Sequence, residues 1–203
     1  MNAQKHILVA ISGSVACIKI NSLITELIKF AEVKIIATQA ALTFINIADI
    51  PKEVKLFTDE NESSNWKKIG DLILHIELRR WADMILIAPL SANTLSKISN
   101  GLADNLLTNV IRAWDFDKPL LVAPAMNTHM WNHPITKQQI DILESWHIKI
   151  IWPITKTLAC GDTGIGAMAE TVTILSQCLI YLNKNENKMV LSDDHMDNTS
   201  QKI

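Results

Sequence analysis

Asn127, Cys160 and His75 are the residues of this sequence whose type and setting best suit chemistry. Asn127 stands in Pro124-Ala125-Met126-Asn127-Thr128-His129-Met130-Trp131, an amide among large apolar side chains. Such a group both donates and accepts hydrogen bonds and needs a partner, which a ligand could supply. Met130 and Trp131, at helical spacing, read first as core. Cys160 lies between Leu158 and Met168, a segment holding three of the six glycines, Gly161, Gly164 and Gly166. That density predicts a mobile flap, and a thiol exposed there can act as proton donor or nucleophile. His75, in Leu74-His75-Ile76-Glu77-Leu78-Arg79-Arg80-Trp81, reads from its context alone as a satisfied, half-buried side chain.

Two further turns carry small polar groups. Ser12-Gly13-Ser14-Val15-Ala16 follows the apolar run Ile7 to Ile11 and opens the first helix. A strand-to-helix turn of this kind aims backbone N–H groups above the sheet, where an anion such as phosphate is favoured. Gly13 is the only glycine before Gly70, so the three-glycine dinucleotide fingerprint is absent. Ala88-Pro89-Leu90-Ser91-Ala92-Asn93-Thr94 clusters hydroxyl and amide groups beyond another apolar run. Ser91 or Asn93 can cap a helix there, and the position also suits ligand binding.

The elements that must hold these turns are legible as an alternation. Ile7 to Ile11, Val33 to Ala37, Met84 to Ala88, Leu120 to Ala123 and Ile148 to Ile151 are β-branched apolar runs without polar alternation, as in strands buried on both faces. Between them lie helical stripes such as Ile20, Leu23, Ile24, Leu27 and Ile28, and Leu102, Leu106 and Val110 around Asp104, a cap or first-turn acid. The pattern predicts an α/β fold, one doubly wound Rossmann-like domain over residues 1–183 with five or six parallel strands between helix layers. Residues 47–72, with Pro51, Gly70 and several acids, predict an excursion from the sheet. A terminal helix is expected from Thr173 to Leu182, ending near Asn183, and the polar segment 184–203 is expected to be disordered.

Composition narrows the function. The 203 residues, 48% hydrophobic and 20% charged, suffice for one sizeable core, and a net charge of -2 without a basic run gives no footprint for nucleic acid. Three cysteines without paired spacing argue against disulfides or zinc and for a reducing, cytoplasmic setting. His129 and His133, four apart, have no nearby acid to complete a metal site. No apolar run reaches the roughly 18 residues that a bilayer demands, and the interrupted N-terminal run reads poorly as a signal peptide.

Taken in order, Pro89 through Thr94, Pro124 through Trp131 and the flap Ala159 through Met168 resemble the homo-oligomeric flavin-containing cysteine decarboxylases. The likeness covers about residues 5–182. Leu90 replaces a commonly small residue. Leu74 to Asp83 and Gly166-Ala167-Met168-Ala169-Glu170 look most like the branch serving coenzyme A biosynthesis. The resemblance implies a carboxy-lyase that converts 4'-phosphopantothenoylcysteine to 4'-phosphopantetheine with FMN, by transient oxidation of the thiol to a thioaldehyde, loss of CO2 and re-reduction. It implies FMN contacts at Gly13, Ser14, Val15, Thr38, Ser91, Ala92, Asn93, Thr94 and Ala125. His75 becomes the base and Cys160 the proton donor. Asn127 would hold the substrate carboxylate, Arg80 an anion, and Ala159 and Lys156 would complete the substrate contacts. Thr157 departs from the pattern, which commonly has a basic residue there for the substrate. A homotrimer with FMN near subunit contacts is implied. A phosphatase-regulating binding protein, a flavin prenyltransferase or a peptidyl-cysteine decarboxylase of the same fold are the competing readings.

Overall fold

The computed structural model describes residues 4–65 and 67–196. Six strands make one parallel sheet: β1 (Lys5–Ile11), β2 (Ala31–Ala37), β3 (Lys55–Phe57), β4 (Met84–Leu90), β5 (Leu120–Pro124) and β6 (Lys149–Ile150), in the spatial order β3-β2-β1-β4-β5-β6. The strand order reverses between β1 and β4, and crevices at the carboxyl ends of strands beside such a reversal are where ligands bind in open α/β sheets.

Alternate side chains of one strand feed opposite layers. Ile7, Val9 and Ile11 enter a core with Ile20, Leu23, Ile24 and Leu27 of α1 (Ile20–Leu27) and Ile174, Cys178 and Leu182 of the terminal helix, while Leu8 and Ala10 enter the opposite core. There they meet helices α3 (Leu74–Trp81), α4 (Ala92–Ser99), α5 (Leu106–Arg112) and α7 (Pro134–Ser145). Covering both faces explains why the strands lack polar alternation. Leu8 and Leu86 are fully buried, so truncating either to alanine costs about 2–5 kcal/mol.

The excursion at 47–72 contains the edge strand β3 and a short helix α2 (Asp59–Asn65). Its acids cap other helices: Asp59 Oδ1 accepts from the backbone N–H of Leu106 at 2.8 Å, and Glu62 Oε2 from that of His75 at 3.1 Å. The first helical stripe begins later than its turn, because Val15–Lys19 is a 3-10 turn before α1.

Two expectations are corrected. Asn105, not Asp104, caps α5, in a reciprocal pairing with Thr108, and Leu102 lies before the helix and is 52% exposed. The asparagine wins because its side chain reaches the Thr108 N–H at 2.9 Å while Asp104 is held by Lys97 at 2.6 Å. The terminal helix α8 runs Thr171–Met196, past Asn183, through a stretch with no proline or glycine to stop it. Of the expected disordered segment, 197–203 lies outside the described residues.

The glycine-rich segment is an antiparallel hairpin, β7 (Ile154–Thr157) and β8 (Thr163–Ala167), outside the main sheet. Among the described residues, no helix is long and apolar enough to cross a membrane.

Candidate active site

Ser12 ties the two turns at the reversal of the sheet. Its backbone N–H and its hydroxyl both donate to the Pro89 carbonyl, at 3.2 and 2.8 Å, and its Oγ accepts from the Ser91 N–H at 2.8 Å. Pro89 has no N–H for the ladder and sits where the register of β4 against β5 shifts between Ile87 and Leu90. The turn after β1 is thereby locked beside the turn after β4.

Around this lock lies a cavity of about 590 Å3. Gly13, Ser14 and Val15, Thr38, Ser91 to Thr94, and Ala125 all line it, so four separate turns converge on one space. Ser91 caps α4, its Oγ accepting from the Thr94 N–H at 3.3 Å, and Ser14 does the same for Ala16 at 3.3 Å. Gly13 has a steric reason: a Cβ there would stand 2.6 Å from the Cβ of Ala40. Lys97, Asp104, Asp59 and Met130 form other parts of the wall. Met130, 49% exposed, belongs to the cavity, whereas Trp131 packs on the core and meets Trp152 edge-on.

A second cleft of about 450 Å3 shares Ser14, Val15, Ala125 and Met126 with the first. The hairpin forms its other wall. Gly166, at φ +142°, accepts from the Met126 N–H through its carbonyl at 2.9 Å, and a Cβ on it would strike the Met126 oxygen at 2.3 Å. A Cβ on Gly164 would stand 2.6 Å from the Thr128 Cγ2. The glycines are therefore docking points that bring Cys160 to Asn127.

Asn127 caps α6 (Thr128–Trp131), its Oδ1 accepting from the His129 N–H at 2.8 Å. Its Nδ2 donates to Cys160 Sγ at 3.2 Å and to Asp162 Oδ2 at 2.8 Å, while the Cys160 thiol donates to the same oxygen at 3.3 Å. Those hydrogen bonds, Asn127 first and Cys160 second, hold the Asp162 carboxyl below its ordinary range. Lys156, Thr157 and Ala159 also line this cleft. So does Lys19, which is 2.8 Å from Glu170; Lys156 reaches the same carboxylate at 3.5 Å.

His75 and Arg80 are placed elsewhere on the chain. Neither lines the two cavities. His75 lies in the first turn of α3 with its ring Nδ1 against Glu62 Oε1, and Arg80 points to Glu77 at 3.0 Å.

Residues 1–182 match the Flavoprotein family. The chain belongs to that family of flavoproteins. A relative from Oryza sativa subsp. japonica, named phosphopantothenoylcysteine decarboxylase, is 55% identical over 193 residues, covering 93% of this chain and 88% of its own. The structure of a PPC decarboxylase mutant complexed with pantothenoylaminoethenethiol superposes with a TM-score of 0.87 at 53% identity, covering 89% of this flavoprotein and 99% of that chain. The FMN binding protein AtHal3 gives 0.84 at 54% identity, over 89% and 98%.

Sequence reasoning on this flavoprotein passed over Asp162, Lys19, Glu170, Lys97 and Glu62. Asp162 was within reach, two residues after Cys160 in the same glycine-rich segment. Glu170 closes the Gly166–Glu170 stretch that carries the family likeness but drew no role of its own, and Lys19, Lys97 and Glu62 are ordinary charged residues on separate elements with nothing in their local pattern to set them apart.

Proposed function

We propose that this chain catalyses FMN-dependent decarboxylation of 4'-phosphopantothenoylcysteine to 4'-phosphopantetheine, a step of coenzyme A biosynthesis. The observation that carries the reading is the meeting of Asn127 and Cys160, 3.2 Å apart, in a cleft continuous with a cavity of cofactor size.

The larger cavity fits FMN by the chemistry of its wall. The Ser14 and Ser91 hydroxyls and the N-terminal N–H groups of α4 suit a phosphate, and Gly13 lets the backbone turn tightly beside it. Thr38 and Ala125 complete the contacts. When bound, FMN supplies a two-electron acceptor that is later a donor, which gives the substrate a C=S group to receive the electrons released with CO2.

The protein contributes binding, orientation and proton transfer. The amide of Asn127 takes the substrate carboxylate, with the Ala159 segment beside it. Lys156 and Lys19 stand in the same cleft as cations for the substrate phosphate, which offsets the loss of a basic residue at Thr157. Cys160 supplies a proton to the product. His75, with Nδ1 turned to Glu62, keeps Nε2 available to take the proton of the substrate thiol.

His75 and Arg80 act across a subunit boundary in this reading, in a homotrimer. Large apolar side chains stand exposed where such contacts would cover them: Ile18 of the cleft wall is 74% exposed, and Ile69 and Leu72, just before His75, are 96% and 67% exposed. The unpaired Cys17, Cys160 and Cys178 suit a reducing, cytoplasmic setting.

The test is direct. Purified protein should carry a yellow chromophore absorbing at about 450 nm and release CO2 from 4'-phosphopantothenoylcysteine. Protein that binds no FMN and releases none would end the reading.

A further inference from the structure

The NH2 group of Asn127 is already engaged within the protein. Because Oδ1 accepts from the His129 N–H at 2.8 Å, the amide cannot be flipped, and its NH2 group must face the hairpin turn. That group meets Asp162 Oδ2 at 2.8 Å and Cys160 Sγ at 3.2 Å, two acceptors that themselves stand 3.3 Å apart. A substrate carboxylate reaches the same NH2 group only in competition with Asp162.

We propose that Asp162 is a built-in stand-in for the substrate carboxylate, occupying the Asn127 amide and holding the Cys160 thiol until the arriving carboxylate expels it. This rests on the decarboxylase reading and adds a specificity-determining residue to it. Two carboxylates cannot share one amide without like-charge repulsion. Asp162 is anionic at neutral pH, its carboxyl held low by these same hydrogen bonds.

Expulsion has a second effect. The thiol donates to Asp162 Oδ2 at 3.3 Å, so removing that acceptor frees its hydrogen to turn into the cleft. A ligand without a carboxylate leaves Asp162 seated and the thiol engaged. Asp162 is thus a positioning residue that makes the proton donor available only when the correct functional group has arrived.

The turn is built for such a local movement. Asp162 is exposed and follows Gly161, at φ +92°, while the far strand stays anchored by the hydrogen bond from Met126 to Gly166. The side chain can leave without unfolding the hairpin.

Two unreactive probes test this with the FMN-loaded protein. 4'-Phosphopantothenoylalanine keeps the carboxylate but has no thiol, and the N-ethyl amide of 4'-phosphopantothenate lacks both. By calorimetric titration, Asp162→Asn should bind the alanine probe about fivefold more tightly than the wild type and the N-ethyl amide equally well. Asp162→Ala, which removes the acceptor as well as the charge, should shift in the same direction. If wild type and variants bind both probes and the alanine probe shows no selective gain, the stand-in is overturned and the decarboxylase reading survives. If no form binds either probe, that reading falls and the inference with it.

Discussion

Glu62 holds His75 at two points, Oε2 accepting the backbone N–H at 3.1 Å and Oε1 facing the ring Nδ1. An ionised carboxylate only accepts, so Nδ1 carries the hydrogen and Nε2 is the basic nitrogen. Replacing His75 with asparagine should lower kcat about a hundredfold or more. Glu62→Ala, which frees the ring to rotate, should lower it about tenfold with the flavin absorbance unchanged. Steady-state kinetics on both variants checks this, and full turnover by Glu62→Ala would remove the carboxylate from the mechanism.

Cys160→Ser keeps a hydroxyl near Asn127 but loses the more acidic proton of a thiol. The variant should bind FMN normally, release CO2 in a single turnover and stop at an oxidised, unsaturated thiol product. Mass spectrometry of quenched reactions reads this product, and formation of 4'-phosphopantetheine at the normal rate would show that the proton comes from elsewhere.

The three thiols differ in reactivity for physical reasons. Cys160 is exposed, whereas burial raises the Cys17 thiol and pushes Cys178 up to about 12. A thiolate is the reactive species. Native protein at mildly alkaline pH should therefore take one equivalent of a small alkylating agent, and Cys160→Ser should take none. Rapid modification of a second site would contradict the burial of the other two.

Gly166→Ala would place a methyl group 2.3 Å from the Met126 oxygen at a φ of +142°, a backbone region that L side chains rarely adopt. Relief requires the hairpin to leave the Asn127 turn. Strain of this kind costs about 1–3 kcal/mol, comparable with what the hydrogen bonds from Met126 and Asn127 to the hairpin return. The expected outcome is faster proteolytic cutting at residues 158–162 with the main sheet intact, and loss of decarboxylation with FMN retained.

Glu170 joins Lys19 of the first turn to Lys156 of β7. Its carboxyl lies below the ordinary value of 4.5, through the Lys19 hydrogen bond first, then the charges of Lys19 and Lys156. A group depressed by folding stabilises the folded state above its unfolded value and gives up that contribution as pH falls through the folded one. Wild type should therefore lose more of its thermal stability below about pH 4.5 than Glu170→Gln does. Parallel Tm profiles for the two proteins would exclude this strut.

Much of the fold was open to a reading of local pattern. The strand runs from Ile7, Val33, Met84 and Leu120 fall inside β1, β2, β4 and β5, and the run from Ile148 to Ile151 contains β6. β3 escaped because three residues at a sheet edge carry too short a pattern to register. The hairpin escaped because β8 is glycine-rich, and its glycines serve contacts with Met126 and Thr128 that no periodicity reports. Asp104 drew the cap assignment away from Asn105 because either type can cap, and only the competing hold of Lys97 separates them.

By itself the sequence determined the layered α/β architecture and the chemical character of the turns at Gly13, Ser91, Asn127 and Cys160, since hydrophobic period and residue type are local properties. The tertiary structure alone decided which groups meet. Ser12 reaches Pro89 across 77 positions, Asn127 reaches Asp162 across 35, and His75 is given to Glu62 instead of either cavity. Such meetings follow from the adjacency of β1 and β4 and from the hairpin folding back onto the turn after β5, and the free energy that selects them belongs to the packed whole.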